Sequence, residues 1–334
     1  MFKRIAVLAA AFMLVCCLAV QGGEKKKYAF IFKSTGNPFG EKLMEGYKKA
    51  IEEQGGECIL RAPDLPTAEA QIAIIEELIA QRVAAIGLSA NDPDALQPVL
   101  RKAKRAGIKV ITADSSTNAE SRDVHINQAD PELIGRVEIQ AAYDMAGGKG
   151  DIAILSATSQ ATNQNIWIEW MKKELEDAKY KDMKLVKVAY GDDLRDKSTS
   201  ETEALLKTFP NLKVVIAPST VGIAAAGKVL TDKNLQGKVF LTGLGLPSEM
   251  ADYIKNGICP WMYLWNPIDL GYLAGYAAVG LSEGTMTGDV GAKITAGHLG
   301  TKEVVTAGDG GTEIMLGAPF KFDADNIDEW KQVY

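Results

Sequence analysis

Twice along this chain, short apolar runs alternate with longer stretches of helical periodicity, and this rhythm limits the fold more than any other feature. In the first series, residues 28–32, 58–60, 84–88, 109–113 and 124–126 read as strands. Between them, 39–54 places Leu43, Tyr47, Ala50 and Ile51 on one helical face before Gly55-Gly56 stops it. Helices are also predicted over 68–80, through Ile72, Ile75 and Ile79, and over 93–106. The second series opens at Asp130-Pro131, an N-cap followed by proline in the first turn of a helix reaching about Met145. Strands over 151–155, 185–189, 214–217, 239–242 and 261–265 then alternate with helices over 163–178, about 197–208, 220–231 and 247–255. Short strands joined by helices of ten or more residues form βαβ units in mostly parallel sheet. Strands apolar throughout are covered by helices on both faces. About ten strands precede residue 266, and two sheets of about five are expected, divided at Gly147-Gly148-Lys149-Gly150. The fold class is therefore α/β with two lobes, a length of 334 residues allowing one large or two smaller domains. The tail is less regular. A glycine- and alanine-rich helix over 270–281 precedes short segments at 292–295, 304–305 and 313–316, read as added strands whose topology stays open.

The start of the chain has the form of a secretory signal over residues 1–23: Met1-Phe2-Lys3-Arg4, sixteen uncharged residues over 5–20, then Gln21-Gly22-Gly23. The run is short against the roughly 20 apolar residues of a spanning helix, so secretion is expected, with a retained anchor as the alternative. Leu14-Val15-Cys16-Cys17 admits a lipoprotein processing site with Cys17 lipidated, or an ordinary signal. Beyond this leader stand only Cys58 and Cys259, too few for a disulfide framework or a CxxC metal site, and each is read as a buried thiol.

Several function classes are disfavoured. A net charge of -6 gives no electrostatic footprint for nucleic acid. A DNA-binding regulator of the same sensing fold would need a helix-turn-helix before Lys27, where only the apolar leader stands. Gly36-Asn37-Pro38-Phe39-Gly40 follows a strand but is not GxGxxG, and the second strand ends in Arg61-Ala62-Pro63 without a ribose-binding acid. GxSxG and Walker sequences are missing. The two histidines, His125 and His298, lie far apart in sequence, and His125 is read as structural. Abundant carboxylates leave a glycosidase pair open on sequence alone, but no catalysis, cofactor or metal is expected.

Ligands of open α/β sheets meet the carboxyl ends of the strands. The residues there are rich in amides and hydroxyls: Lys33 and Ser34, residues 89–92, 114–116 and 127–128, then 159–164, Ser219-Thr220, Gly243 and Asn266. Such groups both donate to and accept from a polyhydroxylated solute. Lys33 and Asp114, ending the first and fourth strands, form a candidate charged pair gripping ligand hydroxyls. The alternative is a solvated Lys33 with Asp114 capping a turn. Asn163 and Gln164 are further candidates, although Asn163 also suits a helix cap. Phe39 and Trp265 are chosen as an aromatic wall for the C–H face of a sugar.

The stretches Phe30-Ile31-Phe32-Lys33, Thr112-Ala113-Asp114-Ser115, Asn163-Gln164-Asn165-Ile166-Trp167 and Ile216-Ala217-Pro218-Ser219-Thr220 resemble the sugar-type periplasmic binding proteins of bacterial ABC transporters. Within them, the likeness is to the autoinducer-2 receptors and the related rhamnose-binding proteins, over about 27–334. The resemblance implies a periplasmic binding protein type I fold, with three crossings and one solute enclosed between the lobes. Lobe 1 would take 24–127 and about 266–300, and lobe 2 about 128–265 and 301–334. The family's lysine after the first strand matches Lys33, and the aspartate of its Thr-x-Asp-Ser motif matches Asp114. Its Asp-Gln pair falls on Asn163 and Gln164, an amide replacing the acid. Its Pro-x-Ala motif falls on Pro218 and Thr220. The resemblance implies autoinducer-2 as solute, since Lys33 and Asp114 are both kept, with rhamnose or another small sugar as the second reading. It further implies a monomer that closes on its solute and docks on a membrane permease. A tethered receptor that signals without a permease is a third reading.

Overall fold

The computed structural model describes residues 25–334. The leader and Cys17 lie outside the described residues. In chain order the elements are β1 (Lys27–Ile31), α1 (Pro38–Glu53), β2 (Glu57–Arg61), α2 (Ala68–Ala80), β3 (Ala85–Leu88), α3 (Pro93–Arg105), β4 (Lys109–Ala113) and β5 (Val124–Asn127). There follow α4 (Pro131–Ala146), β6 (Gly150–Ser156), α5 (Thr162–Glu174), β7 (Met183–Tyr190), α6 (Arg195–Thr208), β8 (Leu212–Ala217), α7 (Thr220–Asp232), β9 (Phe240–Gly243) and α8 (Pro247–Lys255). The last are β10 (Trp261–Leu264), α9 (Pro267–Glu283), β11 (Lys293–Thr295), β12 (Thr301–Thr306), β13 (Thr312–Met315), β14 (Phe320–Asp323) and α10 (Ile327–Trp330).

Two main sheets result. The first runs β11-β12-β13-β5-β4-β3-β1-β2 and the second β7-β6-β8-β9, with β10 and β14 as a separate antiparallel pair. Each of β1, β3, β4 and β5 is buried along almost its whole length, as two-sided helical cover demands. The pairs β1–β2, β1–β3, β3–β4 and β4–β5 are all parallel, as are those of the second sheet. This is the two-lobed α/β arrangement that the rhythm of the sequence implies.

The composition of α9 has a packing cause. It lies directly on α1, and a Cβ added at Gly271 would stand 1.8 Å from the Leu43 carbonyl oxygen; one at Gly46 would stand 1.9 Å from that of Ile268. Only glycine lets the two backbones come so close. Asp130 caps α4 as expected, accepting from the amides of Glu132 and Leu133.

The strand count and the tail differ from expectation. The first sheet has eight strands and the second four. Instead of closing the second sheet, β10 pairs antiparallel with β14; it meets β9 through a hydrogen bond from Thr242 Oγ1 to the Trp261 carbonyl at 3.0 Å and the residue after β9 through an isolated bridge, Leu244 to Tyr263. The division of the tail at residue 301 is also corrected. β12 turns back on β11, and β13 pairs antiparallel with β12 and parallel with β5, so 301–315 extends the first sheet. Only the segment from β14 onward rejoins the second half, where α10 packs on α8. The chain thus crosses between halves three times: after β5, before α9, and between β13 and β14.

Candidate functional site

The carboxyl ends of the two parallel sheets face each other, and the polar residues there meet. β1 hands its direction to Lys33 and β4 to Asp114. Lys33 Nζ lies 3.0 Å from Asp114 Oδ2, and both side chains are buried. Asp114 takes a left-handed backbone conformation, φ 68°, which aspartate tolerates better than most residues but at a cost. Its carboxylate is fully engaged. Ser89 Oγ donates to Oδ2 at 2.7 Å, and Asn163 Nδ2, from the opposite half, donates to Oδ1 at 2.7 Å. The solvated-lysine alternative is thereby set aside.

Behind this pair, buried amides fix the strand ends. Gln71 Nε2 donates to the carbonyls of Ser89 (2.8 Å) and Phe32 (3.3 Å), while its Oε1 accepts from the Asn91 amide at 2.9 Å. Asn91 Nδ2 donates in turn to the Lys33 carbonyl at 2.9 Å. Fully satisfied buried networks of this kind hold one geometry.

The facing wall comes from α5 and α7. Asn163 is not the cap of α5: Ala161 occupies that place, and no side chain bonds there. Instead Asn163 lies within the first turn. Its carbonyl accepts from Ser115 Oγ at 2.8 Å and from the Gln164 amide at 2.9 Å. Next to it, the Ser116 amide donates to Thr162 Oγ1 at 3.0 Å, and the Thr162 hydroxyl donates to the Ser116 carbonyl at 3.2 Å. These bonds join the two halves directly.

Lys33, Phe39, Asp114, Gln164, Pro218, Thr220 and Trp265 line one interlobe cavity of about 30 Å³, so seven of the eight expected binding residues share it. Asn163 lines the neighbouring cavity and reaches this one through its bond to Asp114. The volume is small because most of the polar groups here bond to one another across the gap. Two groups have no protein partner: Gln164 Oε1 and Trp265 Nε1 are buried without a hydrogen bond. A buried polar atom left unmade is costly, and here both belong to residues of the cavity wall.

The aromatic wall is larger than expected. Trp265 meets Phe39 edge-on with centroids 6.2 Å apart and Trp167 at 5.7 Å, and Phe32 lies 6.3 Å from Phe39. Trp167 and Phe32 both line the cavity.

The residue that sequence reasoning missed is Asp193. It sits in the turn after β7, lines the cavity and accepts from Ser219 Oγ, which also caps α7. Desolvation in the cleft pushes its carboxyl pKa up, against the pull of Lys33 and the Ser219 bond, with Asp114 adding like-charge repulsion. Tyr190-Gly191-Asp192-Asp193 follows a strand as Asp114 does, and that position was the available signal. Asn127, Gln128 and His125 line the second cavity instead, and Asn266 caps α9. His125 accepts or donates at Nδ1 to Thr112 Oγ1, 2.9 Å away, and burial lowers its pKa to about 3, so it is neutral. Among the described residues, Cys58 and Cys259 carry no disulfide; Cys259 is buried as expected, while Cys58 is only half-buried. Among the described residues, no cluster of three or more His, Cys, Asp or Glu side chains is arranged to hold a metal ion.

A polar site enclosed between two α/β halves joined by three crossings is the architecture of a solute-binding protein. Residues 28–286 match the family described as periplasmic binding protein domain, and the chain belongs to that non-catalytic family, in the sugar-binding branch that serves ABC transporters. An ABC transporter solute-binding protein from Clostridium phytofermentas, solved with bound L-rhamnose, is 52% identical, covers 93% of this chain and 99% of its own, and superposes with a TM-score of 0.91. LsrB from Clostridium saccharobutylicum, solved with AI-2, is 24% identical over 91% of this chain and 99% of its own, TM-score 0.86, which speaks for the fold alone. The D-ribose/D-allose-binding protein of Pseudomonas aeruginosa is 24% identical over 273 residues, 76% of this chain and 85% of that protein.

Proposed function

We propose that this protein captures a small neutral deoxysugar, L-rhamnose or a near relative, and delivers it to an ABC permease. The observation that carries the reading is the Lys33–Asp114–Asn163 chain spanning both halves beside the unpartnered Gln164 and Trp265 atoms. Hydroxyls of a sugar supply the donors and acceptors that these groups lack. The four aromatic rings offer apolar surface to the C–H face and the methyl group of a deoxysugar. Charge argues for a neutral solute: Asp114 offsets Lys33, and Asp193 adds a further acid, so sugar phosphates and sugar acids are repelled.

The autoinducer-2 expectation yields to this reading. Asn163 stands where the resemblance places an acid in the autoinducer-2 receptors, and the 52%-identical relative holds L-rhamnose. Capture outside the cytoplasm fits a leader over 1–23, with lipidation of Cys17 as the proposed tether. The reading is tested by denaturing protein purified from its native host and identifying the released solute by mass spectrometry, with a thermal-shift panel of L-rhamnose, autoinducer-2, D-ribose and D-arabinose. Release of a deoxyhexose, and the largest shift with L-rhamnose, are expected. A larger shift with autoinducer-2 would restore that solute, and no shift with any would reject the class.

A further inference from the structure

Beside the cleft described above, and divided from it by the Asp114–Asn163 bond, lies a larger interlobe cavity of about 440 Å³. That volume lies in the usual range of small-molecule sites, about 300–1,000 Å³. Its walls include the loop after β4, the end of β5, the first turn of α4, α5 as far as Trp170, and the segment between β12 and β13 with Glu313 of β13.

We infer that this cavity is a second solute site, for a neutral hydroxylated molecule of monosaccharide size. One wall presents Thr117, Asn118, Gln128 and Glu313; the opposite one presents Ile166, Trp167 and Trp170. Amides and hydroxyls opposite indole rings are the same pairing that suits a sugar in the first cleft. Thr117 and Gln128 are more than nine-tenths buried, and Thr117 Oγ1 and Gln128 Oε1 have no hydrogen-bond partner. Buried polar atoms without partners are uncommon in native folds, and with Arg122 Nε three of them belong to residues of this one cavity.

The charges favour a neutral occupant. Arg122 is held by Asp309 through two bonds of 2.8 Å, which offsets its charge, and its buried Nε, without a protein partner, is left to donate to a neutral hydroxyl. Glu132 pairs with Arg136, and the Asp130 carboxylate caps α4. Burial pushes the Glu313 carboxyl up, and its Oε2 accepts from Asn127 Nδ2 at 2.9 Å. A cationic occupant is disfavoured as well, because Lys173 Nζ already stands 4.1 Å from the Trp170 ring and Arg136 lies over it at 5.7 Å. The cavity touches both halves and the crossing segment after β5, so an occupant favours the closed arrangement and thereby couples to the first site.

The test uses Lys33→Ala, alone and combined with Gly308→Trp; Lys33 lines the first cleft and not the second, although its loss removes the ion pair of Asp114, which borders both. Gly308 stands exposed at the rim of the second cavity, and a Cβ there meets no atom within 4 Å, so an indole can be added at the mouth without displacing the fold. Saturation-transfer NMR is run with L-rhamnose, D-arabinose and glycerol at millimolar concentration. The expected result is transfer to at least one probe in Lys33→Ala, reduced at least about ten-fold in the combined variant and, independently, in Lys33→Ala combined with Gln128→Leu, with thermal melts checking that each folds. No transfer in Lys33→Ala, or transfer that survives either added substitution, overturns the second site. Weak L-rhamnose binding to the native chain would instead count against the proposed function and leave this readout intact.

Discussion

Asp114 combines two costs, a left-handed backbone and a buried charge, with an ion pair and two hydrogen bonds that offset them. Removing it leaves Lys33 buried and unpaired, which costs about 3–5 kcal/mol. Asp114→Ala is therefore expected to lower the melting temperature and to weaken sugar binding by roughly 2–5 kcal/mol. Adding Lys33→Met should recover the melting temperature but not the binding; calorimetry and thermal melts on the two variants separate the effects. Glu138 poses the opposite case. It lies fully buried on α4 with neither carboxyl oxygen hydrogen-bonded, and burial holds its pKa well above the ordinary range. Below the ordinary carboxylate pKa both folded and unfolded chains are protonated there. As the pH rises past it, the unfolded chain loses a proton that the folded chain keeps, and stability falls by up to about 1.4 kcal/mol per pH unit until the folded group also ionises. Glu138→Met should thus outlast the native chain in urea by a margin that grows from pH 4 to pH 7. A margin independent of pH would mean that Glu138 is ionised in the fold.

At the scale of elements, strands and helices up to residue 265 were legible because burial wrote period and length into the sequence. The Leu43, Tyr47, Ala50 and Ile51 face of α1 is an example, all four being buried. Glycines of α9 were visible, but their cause, contact with the backbone of α1, was not. β12 shows one buried residue in six, and nothing in such a strand announces its partner. β14 and α10 escaped altogether, since a four-residue strand and a four-residue helix are held by the cluster of Phe320, Phe322, Trp330 and Tyr334 and not by local period. In the site, Lys33, Asp114 and Gln164 were readable from their places after strands or in a motif; Asp193 also follows a strand, but two adjacent acids stand in that turn and sequence does not specify which one faces the cavity. The first turn of α5 also joins the halves: Thr162 exchanges two hydrogen bonds with the Ser116 backbone. Thr162→Val breaks both without altering the first cleft. It should favour the open form and raise the dissociation constant of every solute about three- to ten-fold alike, with an expanded small-angle scattering profile of the solute-free protein. An effect confined to one sugar would assign Thr162 to recognition instead.

For the whole molecule, three crossings join the two sheets, and the ends of both line one cavity. Closure of two such halves buries a solute and completes its polar contacts. A permease that favours the closed form then responds to occupancy. Such a binder needs groups from both halves at once, which a single-lobed site does not. The most direct test is a calorimetric titration of L-rhamnose into the native chain, Lys33→Ala and Gln164→Ala, since the last two residues stand on opposite halves. Tight native binding, weakened by at least about 2 kcal/mol (some 30-fold) in each variant, is the predicted result. Undiminished affinity in either variant would place the solute on one half alone and contradict capture between them.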